Sequence, residues 1–410
     1  MSGGHGHNHS HSHDAGGFAV APSRQRALFI AVVVLGFLTI VGIIVLRPTG
    51  EVHGHAAATG IQSERYKATV TEATRELCSY ATSDNPRTCL RVIVTLKQGP
   101  GKGATIDLSE SGEIAADDPF APKLKPGDHV VVGYEPANDV YFYADRDRRG
   151  TLLVLSALFA AGVIALGRWR GVSALIALGA SVAVLLQFIV PAVLDGRSPL
   201  LVAIVGSAAV AFIALYLSIG FSTMTTVALL GTLAALALTA VLGWGFFAAA
   251  RFTGAVSDEA SYLRIVTDVV DVRGLLLGGV VIGALGALDD MTVTQASAVW
   301  ELRRASPALT RHELYASALR IGRDHVGSTV NTLLLAYAGA SLPLMLLFVL
   351  SNQSLGTVAN SEIVAIEIVR TLVGSIGLVA AVPATTWLAS WVVAEPPPVD
   401  QATVDQRSVD

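Results

Sequence analysis

Eight apolar stretches, cut apart by short charged patches, constrain this chain more than any other feature. The first, Ala27–Leu46 (ALFIAVVVLGFLTIVGIIVL), holds twenty uncharged residues, about 30 Å as a helix and enough for one bilayer crossing. The others are Thr151–Gly167, Gly171–Leu194, Leu200–Ile219, Thr225–Ala250, Gly274–Leu288, Val326–Leu350 and Thr371–Ala394. Only 15% of the 410 residues are charged, against about a quarter in a soluble domain. Those charges gather in residues 51–150, in the short patches and in the last fifteen positions. Lipid as solvent for half the chain accounts for that partition. The first stretch is longer than the apolar core of a secretory signal peptide and is followed by Arg47-Pro48, so it reads as a retained anchor.

The expected fold class is an all-α polytopic membrane bundle of about eight transmembrane helices with a small β-rich, OB-like extracytoplasmic domain. The domains follow as a His-rich cytoplasmic tail (1–26), the anchor (27–46), the β-rich domain (51–147), a seven-helix membrane domain (151–394) with a cytoplasmic loop at 289–325, and a cytoplasmic tail (395–410). Orientation rests on the excess of Lys and Arg on the inner side. Arg303, Arg304, Arg311, Arg320 and Arg323 crowd 289–325, which puts both termini inside. The net charge of -4 and the lack of a basic, aromatic-interleaved stripe give nucleic-acid binding no support.

In the β-rich domain, Tyr66–Val70 alternates, Arg91–Leu96 is β-branched, and Lys125-Pro126-Gly127-Asp128 feeds His129–Tyr134, with Val140–Tyr143 beyond. About five strands in this space suggest a small open barrel. Cys78 and Cys89, on the oxidising side, are disulfide candidates around a loop of about a dozen residues; two free thiols is the alternative.

Ionisable groups at membrane depth cost roughly 2.5–3.5 kcal/mol each and so call for a reason. Asp289 and Asp290 end the glycine-rich Gly274–Leu288 stretch. If the helix continues, Asp290, Thr294, Ser297 and Glu301 share a face. That face reads either as an acidic stripe handling a proton or cation, or as the solvated side of a helix leaving the membrane. Thr310 and Glu313 match a capping box that opens an amphipathic surface helix with Leu314, Ala318 and Ile321 on one side. The loop arginines would gate the inner mouth or dock a partner. Asp324, Ser328 and Asn331 line one face of the next segment, and Glu367 and Arg370 are spaced to pair on a helix beside Glu362. The transport candidates are therefore Asp289, Asp290, Asp324, Asn331, Glu367 and Arg370.

His5, His7, His9, His11 and His13 alternate with small or polar residues, and His53 and His55 form a second pair. Imidazoles so spaced can hold Zn, Ni or Cu loosely, without the fixed geometry of a structural site; a His-biased tail with no metal role is the alternative. No cofactor is required. A Walker A lysine motif, His-Glu-x-x-His, Gly-x-Ser-x-Gly and Cys-x-x-Cys are all missing. No nucleophile–base pair is visible, so an enzyme is not expected.

Three ordered blocks resemble the YibE/F-like family of bacterial membrane proteins. They are Gly283–Asp290 (GALGALDD) running on to Trp300-Glu301-Leu302; Ala318–Arg323 (ALRIGR) with Gly327 and Thr332–Gly339; and Glu367–Gly377 (EIVRTLVGSIG) closing with Pro383. The resemblance spans roughly 27–394 and implies a multi-pass plasma-membrane protein without an established activity. Members carry one Asp followed by an apolar residue where this chain has Asp289-Asp290, so the doubled acid leaves open which one corresponds. The leading expectation is a permease or ion-coupled transport component. A non-transporting assembly or sensory protein, binding partners through the outer domain and 289–325, is the other reading.

Overall fold

A computed structural model describes residues 22–49, 64–82, 86–136, 138–254, 263, 269–350 and 353–393. Two compact units divide the chain, one spanning 54–166 and the other 1–53 with 167–410.

The first unit is built on an antiparallel sheet. Its strands are β1 (Glu64–Leu77), β2 (Thr88–Leu96), β3 (Thr105–Asp107), β4 (Ile114–Ala115), β5 (His129–Glu135) and β6 (Val140–Arg146). The order is β3-β2-β1-β5-β6, with β4 also on β2. β1 runs further than its alternating core because a bulge between Val70 and Glu72 lets the pairing with β2 continue to Leu77. Alternate side chains (Ala68, Val70, Val92, Val94, Val130, Val132) close the core with Leu96, Leu108 and Leu124. At the Lys-Pro-Gly-Asp turn Gly127 takes a φ of 92°, and the Asp128 carboxylate accepts from the Lys125 amide (2.9 Å) and from Arg146 (2.8 Å). A disulfide joins Cys78 to Cys89 at the loop end of the β1–β2 hairpin, where the chain leaves β1 and returns into β2. The unit ends in α2 (Arg149–Gly167), apolar and with no buried residue.

Burial pushes the Asp107 carboxyl up, but the Ser109 hydroxyl and amide and the Arg91 guanidinium outweigh it and hold the group below the usual carboxylate range. A depressed folded-state pKa contributes stability above the unfolded value, lost as pH falls through the folded one.

The second unit is helical: α1 (Pro22–Val45), α3 (Trp169–Leu194), α4 (Pro199–Ser218), α5 (Thr223–Ala249), α6 (Val272–Ala305), α7 (Arg311–Ala340), α8 (Leu342–Leu350), α9 (Leu355–Asn360) and α10 (Glu362–Val392). α3 widens into a π turn at Leu185–Ile189, next to Pro191, which has no amide hydrogen to give. Seven described helices (α1 to α6 and α10) are long and apolar enough to cross a membrane. The eighth expected span, 326–350, is instead a bent pair, α7 and α8 meeting at 63°; Pro343 at the start of α8 cannot continue the helix ladder.

α5, α6 and α10 pack on one another, with α4 against α6, α7 against α6 and α10, and α3 against α4. Small residues permit this closeness. A Cβ on Gly231 would overlap Thr385, and one on Gly377 would overlap Thr239, both across the α5–α10 contact. A Cβ on Gly278 would lie 3.1 Å from Ala203, where α4 crosses α6. At one end of the bundle Leu28, Val227, Val299, Leu314, Ala389 and Val392 form a cluster. There Arg24 donates to the Trp391 carbonyl (2.5 Å) and lies over its ring, so the first and last described helices meet.

Replacing Cys78 and Cys89 by Ser is expected to lower the stability of the sheet unit by roughly 3 kcal/mol on the chain-entropy account of a short closed loop, read as a shift of its urea midpoint at unchanged bundle helicity. For Asp107→Asn the stability deficit is expected to be largest near neutral pH and to shrink through and below the carboxylate range. A deficit that does not change with pH would refute the assigned role of this carboxylate.

Candidate functional site

α6 continues unbroken through Asp289 and Asp290 to Ala305, and α7 begins at Arg311. The stretch read as a loop at 289–325 is therefore helix apart from 306–310. Thr310 does close the capping box with Glu313, but the helix it opens is not a separate surface helix. Leu314 and Ala318 are fully buried, Ile321 is exposed, and the same helix runs on to Ala340. A Cβ on Gly322 would crowd Val382 and Gln295, so α7 enters the bundle there.

Adjacent residues on a helix point about 100° apart, and this separates the two acids. Asp289 turns toward α5. The Thr232 hydroxyl faces its carboxyl, Thr232 and Thr292 share a 2.6 Å hydrogen bond, and Asp289 Oδ1 is buried without a partner. Asp290 points away, its side chain 69% exposed, with His325 Nε2 3.8 Å from Oδ2. The face Asp290–Thr294–Ser297–Glu301 is the outward one, with both acids exposed and the two hydroxyl residues half-buried.

The inward face carries Asp289, Thr292, Gln295 and Arg303. Two turns beyond Asp289, Gln295 Oε1 accepts from Thr386 (2.8 Å) while its Nε2 has no partner. Ser375 and Thr385 on α10 also keep buried hydroxyls without partners. From Asp289 to Gln295 the helix rises about 9 Å, so polar groups extend along the interior of the α5–α6–α10 interface. The threonines drew no attention in sequence because a lone Thr barely lowers hydropathy. The signal that was available is the spacing of Asp289, Thr292 and Gln295 on one face.

The six transport candidates fall in four places. Asp289 is interior, and Asp290 sits beside His325. Asp324 and Asn331 are exposed on α7. Glu367 and Arg370 pair at 3.1 Å, with Arg370 over the Tyr337 ring at 5.9 Å. Nearby, Glu362 accepts from the Gly254 amide (2.8 Å), tying the loop after α5 to the start of α10. Of the five arginines assigned to gating or docking, Arg303 is corrected. It is 2% exposed and donates to the carbonyls of Pro307 (2.9 Å) and Leu309 (2.7 Å), so it shapes the turn between α6 and α7. Arg304, Arg320 and Arg323 are exposed and Arg311 half-buried. His5, His7, His9, His11, His13, His53 and His55 lie outside the described residues. Among those described, the group near enough to share an ion is Cys78, Cys89 and Glu113, and the disulfide occupies both sulfurs.

Such a bundle, apolar outside and threaded with polar groups between its innermost helices, is of the multi-pass membrane type. The model of the YibE/F-like protein family matches residues 155–395, and the chain belongs to that family. No curated protein and no solved structure matches the chain. Family and apolar helices together point to a multi-pass membrane protein.

Breaking the Gln295–Thr386 pair is expected to be asymmetric. Thr386→Val leaves the buried glutamine amide unpaired at both ends and costs about 1–3 kcal/mol. Gln295→Leu leaves Thr386 still bonded to the Val382 carbonyl (2.7 Å) and is close to neutral. Thermal unfolding of the purified variants in one detergent checks this, and equal losses would refute it.

Proposed function

We propose that the chain is an ion-coupled transport component of the bacterial plasma membrane, in which Asp289 takes up and releases the coupling proton or cation. The carrying observation is a carboxylate of α6 facing Thr232 of α5, itself bonded to Thr292, with an unpartnered buried oxygen, in a line of polar groups that leads to Gln295 and Thr386. Carboxylates facing a bundle interior at membrane depth are the usual proton and cation carriers of such proteins. On this reading Asp289, not Asp290, corresponds to the single acid of the family pattern.

Both termini are cytoplasmic in this proposal. Arg24 and Trp391 share one end of the bundle with the α6–α7 turn and its arginines, which supports that side as the inner one. The sheet unit is then extracytoplasmic, and its strand order supports an open barrel of the OB kind. A second reading, an assembly or sensory protein, is favoured by exposed charge on both helices around the α6–α7 turn, Arg304 on one and Arg320, Arg323 and Asp324 on the other, groups suited to contact with another protein.

In proteoliposomes under an imposed potential, with an internal pH dye and then with sodium, the wild-type chain is expected to carry flux. Asp289→Asn should cut it at least tenfold and Asp290→Asn less than twofold. Flux unchanged in Asp289→Asn would end the proposal.

A further inference from the structure

A separate cavity of about 600 Å³ lies among α7, α8, α9 and α10. It is within the roughly 300–1,000 Å³ of small-molecule sites. Leu344, Met345, Phe348 and Leu372 supply apolar and aromatic lining, and Tyr337 and Glu367 stand at its polar part. Among the described residues Glu367 is the one charged side chain that lines it. Its partner Arg370 does not. The guanidinium lies over Tyr337 and reaches toward Gly279 of α6, 4.0 Å from where a Cβ would be. The ion pair is thus a dipole with its negative end in the cavity and its positive end against α6. Arg370 is hydrogen-bonded to Glu367 through Nη1, which leaves carboxylate lone pairs free for a second partner.

We propose that this cavity binds a lipophilic cation: an apolar, preferably aromatic body bearing one positive charge. The apolar wall gains from burying such a body, the Phe348 ring adds a cation–π attraction, and the Glu367 carboxylate selects the sign of charge. An anion of the same shape would meet the negative end of the dipole. Because the arginine partly neutralises the carboxylate, the selection amounts to about tenfold and not to many decades. The proposal concerns binding alone and does not depend on the role given to Asp289.

Tetraphenylphosphonium and tetraphenylborate share shape and differ in sign, so equilibrium dialysis of each against the purified full chain in neutral detergent separates charge from hydrophobicity. Saturable binding of the phosphonium near one per chain is expected, at least tenfold tighter than the borate. Glu367→Gln should weaken it about tenfold. That variant also strips Arg370 of its partner and could misfold, so Leu344→Trp serves as the second variant, filling the cavity with the ion pair intact and abolishing saturable binding. The proposal fails if the phosphonium shows no saturable binding, if the borate binds as tightly, or if Leu344→Trp binds the phosphonium like wild type. Phosphonium binding retained in Asp289→Asn would separate this site from the ion-coupling proposal.

Discussion

The close approach of α5, α6 and α10 is the constraint on which the rest of the bundle depends. Gly231 and Gly377 leave room for Thr385 and Thr239, and bringing the backbones together there also brings polar side chains into an interior with few partners. In lipid, apolar side chains gain little by leaving one apolar solvent for another, so packing of small residues and interhelical hydrogen bonds carry the association. The Thr232–Thr292 and Gln295–Thr386 bonds are of this kind. The same closeness leaves Asp289 Oδ1, Gln295 Nε2 and the Ser375 and Thr385 hydroxyls without partners. A bundle built for stability alone would have apolar groups at those places.

Hydropathy was a sound guide to where the helices lie, because long apolar runs such as Ala27–Leu46 leave few alternatives. It was a poor guide to where they stop. Asp289-Asp290 looked like the end of a span, yet α6 continues for fifteen residues beyond, since Asp290, Glu301 and Arg304 each have an exposed position. The amphipathic pattern after Thr310 looked like a surface helix because Leu314, Ala318 and Ile321 lie on one side with arginines elsewhere. That apolar side, through Leu314, Ala318 and Gly322, fits against α6 and α10, and Ile321 at its edge stays exposed. The family blocks fall on these same helices, and the family assignment stands.

The candidate site was legible in part. Asp289 was named from its depth; its spacing to Thr292 and Gln295 marks a second polar face besides that of Asp290, and which of the two turns inward follows from the rotation of α6 against α5. Arg303 was read as a surface charge for want of a reason to bury it. The turn at 306–310 supplies one, since its carbonyls need a donor and a long guanidinium reaches two of them. Asp324, Ser328 and Asn331 were read as one polar face of the next segment, and on α7 that face is the exposed one.

The contact between Arg24 and the Trp391 carbonyl spans 367 positions of sequence. A ribosome releases the first helix long before the last exists. Until α10 arrives, the end of α1 that holds Leu28 lacks both its apolar neighbours Ala389 and Val392 and its cationic anchorage. Closure of this end of the bundle is therefore among the last events of synthesis, and a chain truncated before α10 would leave its first helix without that berth.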